Sequence, residues 1–273
     1  MNELRAKLDD FIAHLQEQEK SLATMQSYKK DIEQLLDYAG DEPISKALVI
    51  AYKKEVLGNL AISTQNRKII SCNKFLRYAG LDDATVQNIR LQKNTTLDNV
   101  MSRSDYERCL RYAIKLDRPI AWHIMKTLAG TGIRIGELKH ITIEAVKEGK
   151  AVIHHKGKVR VIPINKELAK LLKAYAKERG ITKGIVFRTA NDTPIDRNVI
   201  HKELKRIAGQ ARVNKSKVHA HAFRHLFAIA FLEAGNNITE LADILGHSSL
   251  ETTRIYTRTT TKDKAEKIAK LGL

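Results

Sequence analysis

Arginine, histidine, lysine and tyrosine gather in the C-terminal part of this chain in short clusters suited to chemistry on a phosphate. Arg134 stands in Thr131-Gly-Ile-Arg-Ile-Gly-Glu-Leu138, after a glycine turn and at the expected opening of a helix. A guanidinium placed there can grip a phosphate with two parallel hydrogen bonds, helped by the helix N-terminus. Glu137 follows three residues later and can hold the Arg134 side chain; taken alone, the two read as an ordinary surface ion pair. In His219-Ala-His-Ala-Phe-Arg-His225, helical spacing sets His221 and Arg224 on one face. Such a pair suits a phosphate under substitution, the histidine managing a proton and the arginine offsetting developing charge. His219, His221 and His225 also form an alternative metal-ligand set. A cation within that set and the lack of a nearby carboxylate or thiolate speak against it. Leu245-Gly-His-Ser-Ser249 presents His247 on a turn, and Tyr256 follows nine residues later in Thr252-Thr-Arg-Ile-Tyr-Thr257.

Helices must position most of these groups. Leu4, Leu8, Phe11, Ile12 and Leu15 form one stripe at 3.6 spacing, and Met25, Tyr28, Ile32, Leu35, Leu36 and Ala39 a second that Gly40 ends. A third helix covers about Ile44–Leu57, and a fourth starts near a capping Ser63 and carries Ile69, Ile70, Cys72, Phe75 and Leu76. Its basic residues Arg67, Lys68, Lys74 and Arg77 either track phosphates or form a solvated face. The apolar pattern weakens from Leu81, so residues 81–99 read as a linker between a helical domain at 1–80 and a second domain at 100–273.

In that second domain, helices are expected at Ser102–Lys115, Pro119–Ala129, Lys166–Arg179, Asp196–Ala211, Ala222–Ala234, Ile238–Leu245 and Leu250–Tyr256. Strict alternation in Ala151–His155 and Val159–Ile164 predicts a two-stranded hairpin with a basic tip, Lys156-Gly157-Lys158. Beyond Thr261, a possible cap, Ala265, Ile268 and Ala269 form a small stripe on a short tail helix. The fold class is therefore mainly α, a four-helix domain followed by a mostly helical α+β domain with one small hairpin.

Charge points to the partner. Residues 1–100 hold 14 Lys and Arg against 14 Asp and Glu, whereas residues 101–273 hold 34 against 17, so the whole excess of +17 lies in the second part. A field so lopsided attracts a polyanion, and nucleic acid is the expected partner. No apolar run approaches the roughly 20 residues of a membrane span, and no apolar leader core follows Met1. With Cys72 and Cys109 read as reduced buried thiols, the expectation is a cytoplasmic, nucleoid-associated protein.

The ordered set is more specific than any of its members. Gly132-Ile-Arg-Ile-Gly-Glu-Leu138, Lys156-Gly157, His221-Ala-Phe-Arg-His225, Leu245-Gly-His-Ser248 and Tyr256 resemble the motifs of the tyrosine recombinase (phage integrase) family, compact Xer-like type. The resemblance is strong from about Val100 onward and loose over 1–80, which matches the family's core DNA-binding domain. Phe223 stands where the family usually has leucine. The resemblance implies a site-specific recombinase that cuts and rejoins double-stranded DNA through a 3′-phosphotyrosyl intermediate, for integration, excision or dimer resolution. It implies that Arg134, Lys156, His221, Arg224, His247 and Tyr256 are catalytic, with Tyr256 the nucleophile. Lys156 is preferred over Lys158 because the family's lysine directly precedes a glycine; Lys158 is then a DNA contact. It further implies no cofactor and no metal, a homotetramer in the synaptic complex, and a tail that docks on a neighbouring protomer.

Overall fold

The computed structural model describes residues 2–90, 100–155, 158–247 and 249–257, which divide into two compact units, 1–94 and 95–273. Lys156, Ser248 and the tail stripe lie outside the described residues, and of Lys158 only the backbone is described.

The first unit is built from α1 (Asn2–Glu17), α2 (Leu22–Ala39), α3 (Lys46–Glu55) and α4 (Ile62–Tyr78). Ser21 caps α2 by accepting from the Thr24 amide at 3.2 Å, and Gly40, at φ +57°, ends it. The apolar stripes meet in a core that contains Phe11, Ile32, Leu35, Leu36, Tyr52, Phe75 and Leu76. Ser63 is not the cap of α4. The helix starts earlier, with Ala61 as N-cap and no side-chain cap bond. The Gln65 amide instead secures the entry, donating to Leu60 O at 2.8 Å.

Asp31 is 2% exposed within this unit and gathers three donors. Arg67 bonds it with both terminal nitrogens, Lys68 Nζ lies 3.0 Å from Oδ1, and Ser71 Oγ donates to Oδ2 at 3.0 Å. Lys74 stands 5.6 Å over the Tyr28 ring, while Arg77 is exposed. Past α4, two side-chain amides on that helix hold the next segment against the unit. Asn73 exchanges hydrogen bonds with the Val86 backbone (2.7 and 3.1 Å) and Asn66 with that of Ile89 (2.9 and 2.8 Å). Residues 81–90, read from sequence as the start of a linker, are thus strapped to the first unit.

The second unit centres on α6 (Pro119–Thr131), whose residues Ile124, Met125 and Leu128 are fully buried. Around it pack α5 (Arg103–Lys115), α8 (Lys166–Glu178), α9 (Arg197–Gln210) and α10 (Ala220–Glu233). Ser102 and Asp105 form a capping box at the start of α5. A 3₁₀ segment (Ile135–His140) and the short α7 (Ile143–Glu148) lead from α6 to the hairpin of β1 (Lys150–His155) and β2 (Lys158–Pro163). Its antiparallel register pairs Ile153 with Arg160 and Val152 with Val161. After α10 come α11 (Ile238–Leu245), α12 (Leu250–Arg254) and a final 3₁₀ turn, Ile255–Thr257. The architecture is mainly helical with one small hairpin. Among the described residues, no helix is long and apolar enough to cross a membrane. Both cysteines are free and buried, and burial pushes Cys72 up to about 12 and Cys109 to about 11.

Asp31 is a point at which the first unit is sensitive to a single change. Asp31→Ala leaves Arg67, Lys68 and Ser71 without their shared acceptor and is expected to lower stability by about 2–4 kcal/mol in denaturant unfolding of the full chain. A loss within about 0.5 kcal/mol, the range of ordinary surface substitutions, would show that the network contributes nothing net.

Candidate active site

Arg224 lies one turn into α10 and is 1% exposed. Its Nη1 donates to Gly132 O at 2.8 Å, and its Nη2 bonds Leu245 O and lies 3.0 Å from His247 Nε2. Both carbonyls belong to helix C-termini: Gly132 caps α6 and Leu245 is the last residue of α11. Helix C-termini carry unsatisfied carbonyls and partial negative charge, so they compensate a buried cation without a carboxylate. Glycine is required at Gly132, where φ is +63° and a Cβ would stand 2.5 Å from the Phe227 ring. Arg224 Nε is buried with no hydrogen-bond partner among the described residues.

Arg134 caps the 3₁₀ segment from the other side. Its backbone amide donates to Glu137 Oε2 at 2.8 Å and its Nη1 to Oε1 at 3.1 Å. The 3₁₀ geometry brings residues i and i+3 together, which closes this small ring. Arg134 Nη2 reaches Gly246 O only at 3.5 Å, and the side chain is 39% exposed. A third cation completes the cluster: Arg160 on β2 donates from Nη2 to Glu137 Oε2 at 2.6 Å.

His247 joins the two halves. Arginine can only donate, so Nε2 accepts from Arg224 and the ring proton sits on Nδ1, facing Thr253 Oγ1 at 2.8 Å. Burial, and then the positive charges of Arg224 and Arg134, push His247 down to about 4. Burial chiefly, with neighbouring His221, pushes His225 to about 4 as well. Its ring lies 4.4 Å from that of His221 and 5.2 Å from that of Tyr256, centroid to centroid, and its Nδ1 has no partner among the described residues. Tyr256 is 7% exposed and packs with Ala228, Leu241 and Leu245. Burial raises its hydroxyl above the usual phenol range, and Arg224 pulls it back only in part. Arg224 itself falls to about 10, through burial first and then repulsion from Arg134 and Arg160.

Of the residues singled out from sequence, Arg224 and His247 contact each other directly, and Arg134 approaches them through Gly246 O at 3.5 Å. Tyr256 joins them through His225 and the electrostatic influence of Arg224. His221 occupies the first turn of α10 on the solvent side. His219 does not share its role: its Nδ1 accepts the Ala222 amide at 3.2 Å and caps α10. Among the described residues, no three His, Cys, Asp or Glu side chains gather as metal ligands. Sequence reasoning passed over Arg160 and Thr253. The signal for Arg160 was present, because strand alternation sets it on the same face as Ile162.

The pattern of the "Phage integrase family" matches residues 98–263, and that of the "Phage integrase, N-terminal SAM-like domain" matches residues 8–81. The tyrosine recombinase XerA of Thermococcus kodakarensis is 30% identical over 283 residues, covering 99% of this chain and 98% of its own. The fold resembles XerH recombinase bound to its difH substrate (TM-score 0.73, 21% identity, 91% of this chain and 79% of that one). It also resembles the Tn1549 transposon integrase in complex with circular intermediate DNA (TM-score 0.76, 19% identity, 98% and 99%). The chain belongs to the phage integrase family. It is a tyrosine-type site-specific recombinase related to the Xer proteins.

The neutral histidines carry a pH signature. An unfolded imidazole titrates near 6.5, whereas His225 and His247 titrate at about 4 when folded. A depressed pKa stabilises the fold fully above the unfolded value, and that stability is lost as pH falls from about 6.5 towards 4. The unfolding midpoint of the wild-type chain is therefore expected to drop through this window. His225→Phe should make the drop shallower; an equally steep drop in the variant would show that His225 is not held neutral.

Proposed function

We propose that the chain cuts and rejoins double-stranded DNA with Tyr256 as nucleophile, Arg134 and Arg224 as the phosphate clamp, and His221, His247 and Lys156 in supporting roles. The observation that carries this reading is the buried Arg224, fixed by two helix C-termini beside His247 and electrostatically coupled to Tyr256. Two guanidiniums, Arg134 and Arg160, share one carboxylate, Glu137, and Arg224 bonds none among the described residues, so the site has an excess of positive charge that a phosphodiester would neutralise.

In this reaction the Tyr256 oxygen attacks phosphorus as the bond to the 5′-oxygen breaks, leaving a 3′-phosphotyrosyl enzyme and a free 5′-hydroxyl. Each step exchanges one phosphodiester for another, so the bond energy is kept and no nucleotide is hydrolysed. Lys156 donates the proton to the departing 5′-oxygen. Arg134 and Arg224 meet charge on the non-bridging oxygens, and neutral His247 donates to the phosphate once its ring proton shifts to Nε2 and that nitrogen leaves Arg224. Because burial raises Tyr256, the phenol is not ionised in advance; its proton leaves as the new bond forms, and neutral His221 takes it.

DNA contacts from the first unit fall to Arg67, Lys68, Lys74 and Arg77, and from the hairpin tip to Lys158. In Arg67 and Lys68 the charge is shared with Asp31, which orients it. The working assembly is a homotetramer on two duplexes, in the cytoplasm and associated with the nucleoid. The domain division that goes with this reading is a core-binding domain at 1–80 and a catalytic domain at 100–273.

On a nicked duplex carrying the site recovered by covalent trapping, Tyr256→Phe is expected to abolish the protein–DNA adduct while binding survives. Adduct at wild-type yield would overturn Tyr256 as nucleophile. Arg134→Ala should slow adduct formation by about 10²–10³-fold, the usual cost of losing one oxyanion donor. Wild-type cleavage should proceed unimpaired in excess chelator; inhibition reversed by zinc or magnesium would restore a metal to the mechanism.

A further inference from the structure

Arg160 occupies an unusual place for a cation. On β2 it faces inward, its side chain 12% exposed, while the valines on either side, Val159 and Val161, face solvent at 60% and 52%. Burial energetics alone would favour the opposite alternation, with valine inward and arginine outward. Desolvation, partly offset by Glu137, lowers its affinity for a proton, as expected for a guanidinium drawn out of water. Its stem and head also fill the space beside Gly246. A Cβ there would overlap the guanidinium, and Gly246 is the C-cap of α11 at φ +63°, next to His247.

The two oxygens of Glu137 divide their work. Oε2 accepts both the Arg134 backbone amide and Arg160 Nη2, and Oε1 accepts Arg134 Nη1. Arg160 thereby keeps Oε2 from closing a bidentate pair with the Arg134 guanidinium. Arginine and carboxylate readily form two parallel hydrogen bonds when both oxygens are free, and a guanidinium so paired has fewer donors left for a phosphate. With Arg160 in place, Arg134 is tethered by one guanidinium nitrogen, and Nη2 makes only a 3.5 Å approach to Gly246 O.

We propose that Arg160 is a positioning residue for the recombination reaction: it pins Glu137 so that Arg134 presents a free edge to the scissile phosphate. The inference rests on the recombinase reading above and adds a residue that acts through Arg134 rather than on the DNA. It also couples the clamp to the hairpin, because Arg160 lies on β2 and follows Lys156 by four residues in the chain. Displacement of β2 then changes the clamp.

The test compares Arg160→Met, Arg160→Lys and wild type in single-turnover cleavage of the trapped DNA site, with duplex affinity and thermal unfolding measured alongside. Arg160→Met is expected to cleave about 10²-fold more slowly, the scale of a small misplacement of a catalytic group, with binding and cooperative unfolding retained. Arg160→Lys, which keeps a donor for Glu137, should recover part of the rate. The deciding measurement uses a substrate whose scissile phosphate is a methylphosphonate, neutral because a methyl replaces one non-bridging oxygen. If Arg160 acts through the clamp, the Met variant's deficit shrinks on this substrate, which asks less of Arg134. A deficit of the same size on both substrates, or a wild-type rate for Arg160→Met on the charged one, overturns the proposal. A wild-type chain that forms no adduct at all overturns the recombinase mechanism itself, and is told apart by that control.

Discussion

Everything in the second unit is arranged around one buried charge. Arg224 carries a guanidinium into a position with almost no solvent contact, where an uncompensated ion would cost several kcal/mol. Compensation comes from the C-terminal carbonyls of α6 and α11 and from a neutral imidazole. Those partners are segments distant in sequence, so satisfying Arg224 requires that α6, α10 and α11 all be docked. The same requirement fixes the glycine at 132, because only a left-handed cap directs that carbonyl inward with the backbone this close to Phe227.

The choice of carbonyls over carboxylates has a chemical consequence. A carboxylate bonded to Arg224 would satisfy the cation fully and would repel a phosphate. Carbonyl dipoles lower the cost of burial without cancelling the charge, so the guanidinium remains attractive to an anion. Glu137, the one carboxylate in the cluster among the described residues, stands instead between Arg134 and Arg160. Burial first, and then the neighbouring positive charge, pushes His247 and His225 to about 4. Positive charge accumulates on arginines, which stay protonated, and is excluded from imidazoles, which remain able to accept protons.

Much of this was legible in the sequence because the clusters are local. Arg134 with Glu137, His221 with Arg224, and His247 with Tyr256 each lie within ten residues, and each marks a helix start or end through glycine or a polar cap. The apolar stripes of α1 and α2 repeat at 3.6 and are long enough to read, as is the alternation of the hairpin. What escaped was structure set by tertiary contact. The six-residue α7 is too short for a periodic signal and depends on Thr142 and Gly149 as caps. The start of α4 has no side-chain cap to read. Residues 81–90 look like linker because their attachment is made by Asn66 and Asn73, polar residues on a helix face that periodicity assigns to solvent. Arg160 was hidden for a similar reason, since its partner Glu137 lies 23 residues earlier in the chain and a basic residue near a basic hairpin tip reads as one more surface charge.

Tyr256 shows how far the arrangement goes before DNA arrives. Its ring is held by Ala228, Leu241 and Leu245 on α10 and α11, the two helices that Arg224 joins. The position of Tyr256 is therefore tied to that of Arg224 through packing. Its reactivity is not, since burial keeps the phenol above its usual range despite Arg224. An ionised tyrosine waiting in a field of arginines would pair with them and occupy the site that the proposed reaction assigns to the phosphate. A neutral tyrosine leaves the guanidiniums free, and ionisation is favoured only once it is coupled to bond formation at phosphorus. The raised pKa and the unneutralised clamp are thus two sides of one constraint: the site reserves its positive charge for an anion that the protein itself does not supply.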